Sequence, residues 1–166
     1  MKMSNHPVNP DLTEVCLQRN ARSGVVWGQG NPVLRELKEG GFSFIWKDAA
    51  FWVSSVNRPW DTFLCRQVLQ VEQADGAVLG KIVFHGMRRM SVSLPGMEGE
   101  VSLMRFPFSF RKEISVGRTL YRLNEPDSLS CRNAEGLTVF DLLVGVFILH
   151  FTVVSPGDSS GDAGGD

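Results

Sequence analysis

From residue 42 onward apolar and polar side chains alternate in short runs, the pattern of strands with one buried face. Phe42-Ser43-Phe44-Ile45-Trp46 and Phe51-Trp52-Val53-Ser54-Ser55-Val56 add aromatic and β-branched residues that suit a pleated surface. Leu69-Gln70-Val71-Glu72 leads into the turn residues Ala74-Asp75-Gly76, and residues 78–84 return as the antiparallel partner. A second hairpin pairs residues 90–94 with 101–104 across Pro95-Gly96 and Glu98-Gly99. Phe106, Phe108 and Phe110 share one face, with Pro107 placing them at an edge or bulge, and residues 119–123 form a further strand. Residues 69–123 therefore read as an antiparallel meander of the kind found in sandwiches and barrels.

The pattern is weaker before residue 42. Residues 15–27 suggest one or two short strands, ended by Gly28-Gln29-Gly30-Asn31-Pro32. In residues 33–39 the spacing of Val33, Leu34 and Leu37 predicts two helical turns stopped by Gly40-Gly41, with a strand as the competing reading. Residues 139–154 differ from everything else, being apolar on every face, so a helix here must be buried all round in protein or in lipid. Thr138-x-x-Asp141 has the form of a capping box, and Pro156 stops the helix. Such a helix is about 24 Å long against a hydrocarbon core of about 30 Å, and Arg132 is the last basic residue, so burial in protein is the leading expectation and a tail anchor the alternative.

Length and composition fit one domain: 166 residues, 43% hydrophobic and 21% charged. The expected division is a loose arm over residues 1–12, rich in proline and polar residues, one domain over 13–154, and an acidic Gly/Ser/Asp tail over 155–166. The first ten residues have no apolar run of a secretory signal, which predicts a cytoplasmic protein. Cys16, Cys65 and Cys131 lie far apart and read as free thiols, and His6, His85 and His150 are equally scattered, so neither a metal site nor a Cys/His pair can be assembled from spacing. With 17 Lys and Arg against 18 Asp and Glu, the chain lacks the basic excess of a nucleic-acid binder. Gly28-Gln29-Gly30 lacks the rest of a dinucleotide fingerprint, and no P-loop or hydrolase signature occurs, so neither an enzyme nor a cofactor is expected.

A strand meander followed by an all-round apolar C-terminal helix is an unusual order, and a closed barrel around the helix would satisfy it. In this the chain resembles the tubby-like superfamily, which includes the phospholipid scramblases and the LURP-one-related proteins of plants. Residues 142–151, Leu-Leu-Val-Gly-Val-Phe-Ile-Leu-His-Phe, resemble the terminal scramblase helix, with His150 where an aspartate is usual. Residues 71–82, with Asp75-Gly76 followed by Leu79-Gly80, resemble the strand-turn-strand unit of these proteins. The resemblance spans about residues 42–154 and implies a mainly β fold, an antiparallel β-barrel enclosing a hydrophobic C-terminal helix. Residues 124–135 do not match the scramblase calcium segment, so calcium dependence is not implied.

The resemblance also implies peripheral binding of anionic lipid or phosphoinositide headgroups by a basic surface. Residues 78–122 hold eight basic side chains against three acidic ones. Lys81, Arg88, Arg89, Arg105, Arg111 and Lys112 are the candidate headgroup ligands, set against the plainer reading of a solvated outer face. A protein-interaction domain of the same fold, with an unknown protein partner, is the other class. His85 reads as a hydrogen-bonded surface histidine and His150 as a core one. Trp27, Trp46, Trp52 and Trp60, with Phe42, Phe44, Phe51 and Phe63, read as core, with a ligand pocket as the alternative.

Overall fold

The computed structural model describes residues 12–20, 22–86, 88–105, 109–124 and 127–152, with the side chains of Arg105, Ser109 and Thr152 left aside. The arm expected over residues 1–12, apart from Leu12, lies outside the described residues, as do the tail expected over 155–166, Phe106, Pro107, Phe108 and the last two residues of the expected helix. In chain order the elements are β1 (Glu14–Arg19), β2 (Val26–Gly28), β3 (Asn31–Glu36), β4 (Gly41–Trp46), β5 (Ala49–Ser55), α1 (Pro59–Phe63), β6 (Arg66–Gln73) and β7 (Val78–His85). They continue with β8 (Arg89–Leu94), β9 (Met97–Ser102), β10 (Met104–Arg105), β11 (Ser109–Phe110), β12 (Glu113–Val116), β13 (Thr119–Asn124), β14 (Ser128–Arg132) and α2 (Val139–Thr152).

Twelve strands form one antiparallel sheet in the order β12-β13-β14-β1-β2-β3-β4-β5-β6-β7-β8-β9, and β10 pairs with β11 separately. The edge strands β9 and β12 approach each other, so the sheet curls into a nearly closed barrel. Period-two alternation sends Val15, Leu17, Phe42, Phe44, Met90, Val92, Ile114, Tyr121 and Leu129 inward, and α2 fills the space they enclose. From Leu142 to Leu149 every helix side chain that the core includes is at most 1% exposed. Phe42 meets Phe147 edge to face at 5.4 Å between ring centres, and Phe84 lies 4.3 Å from Phe151.

Gly145 lets the helix come this close to the wall. A Cβ at that position would stand 2.7 Å from Cys131 Sγ, 3.1 Å from Leu17 Cδ1 and 3.2 Å from Tyr121 Cε1. The start of α2 is fixed by the expected capping box: the Thr138 amide donates to Asp141 Oδ2 at 2.7 Å, and the Asp141 amide donates to Thr138 Oγ1 at 3.2 Å. The wall joins this cap, since Thr119 Oγ1 donates to Asp141 Oδ1 at 2.6 Å and the Tyr121 hydroxyl donates to the Asp141 carbonyl at 2.8 Å. Asp141 thus satisfies its burial with three neutral donors. Among the described residues no helix is long and apolar enough to cross a membrane.

Three details differ from expectation. Residues 31–36 are strand β3, not helical turns, because Leu34 and Glu36 pair with Phe44 and Phe42 of β4, while Leu37 closes the turn that Gly40 completes at φ 80°. The hairpin after Leu94 turns on Pro95-Gly96 alone, and Glu98-Gly99 lie within β9. Strand β14 was not anticipated, although it supplies Leu129 and Cys131 to the core.

Candidate functional site

Antiparallel order sorts the connections between strands onto two ends of the barrel. At the end where α2 begins, here the cap end, lie residues 29–30, 47–48, 74–77, 95–96, 117–118 and 133–138. At the end where α2 terminates, here the exit end, lie, among the described residues, 20, 22–25, 37–40, 56–65, 86, 88, 103–105, 109–112 and 127. The ladder registers establish this: Arg66 faces His85, His85 faces Arg89, Arg89 faces Ser102, Arg19 faces Val26, and Asn124 faces Ser128 at the exit end.

The two ends carry different charge. Among the described residues, the exit-end links hold Arg22, Lys38, Arg58, Arg88, Arg111 and Lys112, all exposed and none in an ion pair. Their acidic residues are Glu39, Asp61 and Asp127, and Asp61 is engaged by Arg66 at 3.7 Å. The cap-end links hold Lys47 and Arg118 against Asp48, Asp75 and Glu135, and Arg118 is bound by Glu135. Unpaired cations therefore gather at one end.

Backbone bonds bring part of the candidate set together. The Leu103 amide donates to the Arg88 carbonyl at 2.7 Å, and the Arg111 amide donates to the Leu103 carbonyl at 2.9 Å, so Arg88, Arg111 and Lys112 share one sector of the exit end. Arg105 belongs to the same excursion through its pairing with Ser109, and its side chain is outside the described residues. Arg89 starts β8 and is ion-paired with Glu100 at 3.0 Å. Lys81 is exposed opposite Ser93, four residues along β7 from His85 and hence about 13 Å from the exit end. The expected grouping of Lys81 with the arginines is not present. Arg22, Lys38 and Arg58, which join the cationic end, come from links outside residues 78–122.

The two histidines among the described residues, His85 and His150, have structural surroundings. His85 Nε2 lies 2.9 Å from Ser91 Oγ, which in turn donates to Glu100 Oε2 at 3.4 Å. The carboxylate contacts the hydroxyl and not the imidazole, unlike a Ser-His-Asp triad, so this is a polar clamp across β7, β8 and β9. His150 sits among Phe42 and Phe151 with ring centres 5.2 and 5.1 Å away. Burial lowers its pKa, Arg19 lowers it further, and Glu36 opposes the shift. The third cysteine, Cys131, is buried, and its thiol is pushed far up by burial, whereas Cys16 and Cys65 are exposed.

The aromatic residues divide. Trp46, Phe42, Phe44 and Phe51 are core, as expected, but Trp27, Trp52, Trp60 and Phe63 are exposed, which corrects the core reading for those four. The last two belong to the exit-end link 56–65, whose short helix α1 was also not anticipated. At the cap end an open pocket of about 290 Å³ is lined by Gly28, Asn31, Pro32, Ile45, Trp46 and Lys47 among others. Its lining offers a single charged group and no acid and base pair. Among the described residues no group of three His, Cys, Asp or Glu side chains is placed to hold a metal ion. No family model, curated protein or solved structure matches the chain.

Proposed function

We propose that this chain is a tubby-like barrel that binds the anionic headgroups of a membrane surface peripherally, through its exit end. The observation that carries the reading is the collection of exposed, unpaired cations from links far apart in sequence onto that one end. A guanidinium presents a planar fork that matches phosphate oxygens, and unpaired arginines enter such contacts without first breaking an ion pair. The strand meander closed around an apolar C-terminal helix supports the tubby-like part of the reading.

Each cation near an anionic bilayer contributes about 1 kcal/mol, so removing three is worth about 100-fold in affinity. Sedimentation with vesicles of phosphatidylcholine containing about one third phosphatidylserine provides the test. Wild-type protein is expected to bind at low salt and to bind about 100-fold more weakly as Arg88→Ala/Arg111→Ala/Lys112→Ala, while Lys81→Ala changes binding little. Equal binding by the triple variant and wild type, or binding indifferent to salt, would overturn the proposal.

A further inference from the structure

Helix α1 is built the wrong way round for a soluble surface. Trp60, Phe63 and Leu64 follow i, i+3, i+4 spacing and so share one face, and that face points outward. Trp60 is 74% exposed, Phe63 78% and Leu64 55%, and no residue of α1 is buried. The barrel nevertheless holds the segment in place. The Arg58 amide donates to Asp61 Oδ2 at 2.9 Å, Asn57 spans to the start of β6 by donating to the Arg66 carbonyl at 3.3 Å, and it accepts from the Val68 amide at 2.7 Å. The Gly86 amide donates to the Cys65 carbonyl at 2.8 Å, which ties α1 to the turn that carries Arg88. An apolar tip is thus anchored by hydrogen bonds at the cationic end of the barrel, next to Arg58 in the chain and bonded to the turn that leads to Arg88.

We infer that α1 is a membrane wedge: Trp60, Phe63 and Leu64 enter the boundary between headgroups and acyl chains of a phospholipid bilayer while the neighbouring arginines engage phosphate. The inference rests on the proposed membrane binding and adds how the barrel is oriented on the surface. Charge selects the occupant. An apolar face on the end of the barrel that carries the unpaired cations, with Arg58 next to it in the chain, matches the layered chemistry of an anionic bilayer, phosphate outside and hydrocarbon beneath. Tryptophan suits that boundary because its ring is apolar and its indole N–H remains hydrogen-bonded to interfacial water. The exposed Trp27 and Trp52 lie within strands β2 and β5 of the barrel wall, Trp52 diagonally across from exposed Ile45, and neither projects from an exit-end link.

The test uses the full chain and the same phosphatidylserine-containing vesicles, with a second set in which the phosphatidylcholine acyl chains carry bromine. Trp60→Ser/Phe63→Ser is expected to lose at least about 30-fold in vesicle affinity, since each aromatic side chain withdrawn from water contributes substantially. Its thermal midpoint is expected to match wild type, because neither side chain packs in the core. Brominated lipid is expected to quench wild-type tryptophan fluorescence and to leave Trp60→Phe largely unquenched. Salt-sensitive binding without quenching, with the double serine variant binding as wild type, would overturn the wedge and leave the cationic surface standing. Failure of wild type to bind at all would overturn both. Capture of the tip by a protein partner, with no bilayer quenching, also counts against the wedge.

Discussion

The two helices place similar residues under opposite conditions. Helix α2 has apolar side chains all round and a wall of twelve strands to receive them, so Phe147 and its neighbours are withdrawn from water completely. Helix α1 carries Trp60 and Phe63 on one face and has no wall to receive that face. Burial in α2 contributes to folding. The same kind of surface in α1 contributes nothing to folding and is available to an external apolar phase. Hydrophobicity in a segment therefore shows only that water is to be avoided, while the topology decides whether the protein or something outside it supplies the alternative.

Removal of one aromatic ring from the interior is expected to have the largest effect. Phe147 is fully buried against Phe42 and stacks near Phe151, so Phe147→Ala is expected to destabilise the fold by about 3–5 kcal/mol through lost transfer energy and the cavity left behind. Urea unfolding measures it. The comparable truncation at Trp60 is expected to fall within about 0.5 kcal/mol of wild type, as exposed positions do. Similar losses at the two sites would mean that α1 is packed after all.

Loss of the α2 cap is expected to have a smaller effect. Asp141 accepts from Thr119 and twice from Thr138, and substitution by alanine leaves the buried Thr119 hydroxyl and the Thr138 amide without that partner. Asp141→Ala is expected to cost about 2 kcal/mol in the same unfolding assay while the folded fraction binds vesicles as wild type. By contrast, the Asp61 side chain that organises α1 touches the backbone of Arg58 and lies beside Arg66, at the surface where binding is proposed. A loss of vesicle binding by folded Asp141→Ala would show that the two ends of the barrel are not independent.

Much of this architecture was readable from the chain alone, and for identifiable reasons. Aromatic and β-branched alternation marked β4 to β8, and Asp75-Gly76 and Pro95-Gly96 marked their turns, because a half-buried strand repeats every two residues. The terminal helix was legible because few structures accommodate a segment apolar on all sides. Strand β3 was ambiguous, since Val33, Leu34 and Leu37 satisfy a helical face as well as a strand and only the pairing with β4 decides. Strand β14 is hidden because only two of its five residues, Leu129 and Cys131, are apolar, set among Ser128, Ser130 and Arg132. The cationic end was the least legible feature. Nearness in sequence grouped Lys81 with Arg88, yet four residues along a strand separate them, while Arg22, Lys38 and Arg58 reach the same end from distant links. A usable signal exists once strands are assigned: in an antiparallel meander alternate turns share an end. The exposed tip is not legible in the sequence, because tryptophan and phenylalanine in a short run read as core.

The pH dependence of stability gives the smallest effect, and it belongs to α2 rather than α1. His150 lies in the last turn, with Phe42 and Phe151 against its ring, Arg19 near it and Glu36 as the opposing charge. Because burial and Arg19 lower its pKa in the fold, the unfolded chain binds a proton more readily than the native one at mildly acidic pH. Stability from this residue is therefore fully present above the unfolded value of about 6.5 and declines as pH falls from there toward the lower folded value. Comparing urea midpoints at neutral pH and about pH 5.5 for wild type and His150→Gln isolates the contribution. Wild type is expected to lose more stability over that interval than the glutamine variant, and Trp60→Ser to follow wild type. If His150→Gln shows the same acid loss as wild type, the imidazole is as easily protonated in the fold as in water, and the last turn of α2 is not sealed from solvent in the way the rest of the helix is.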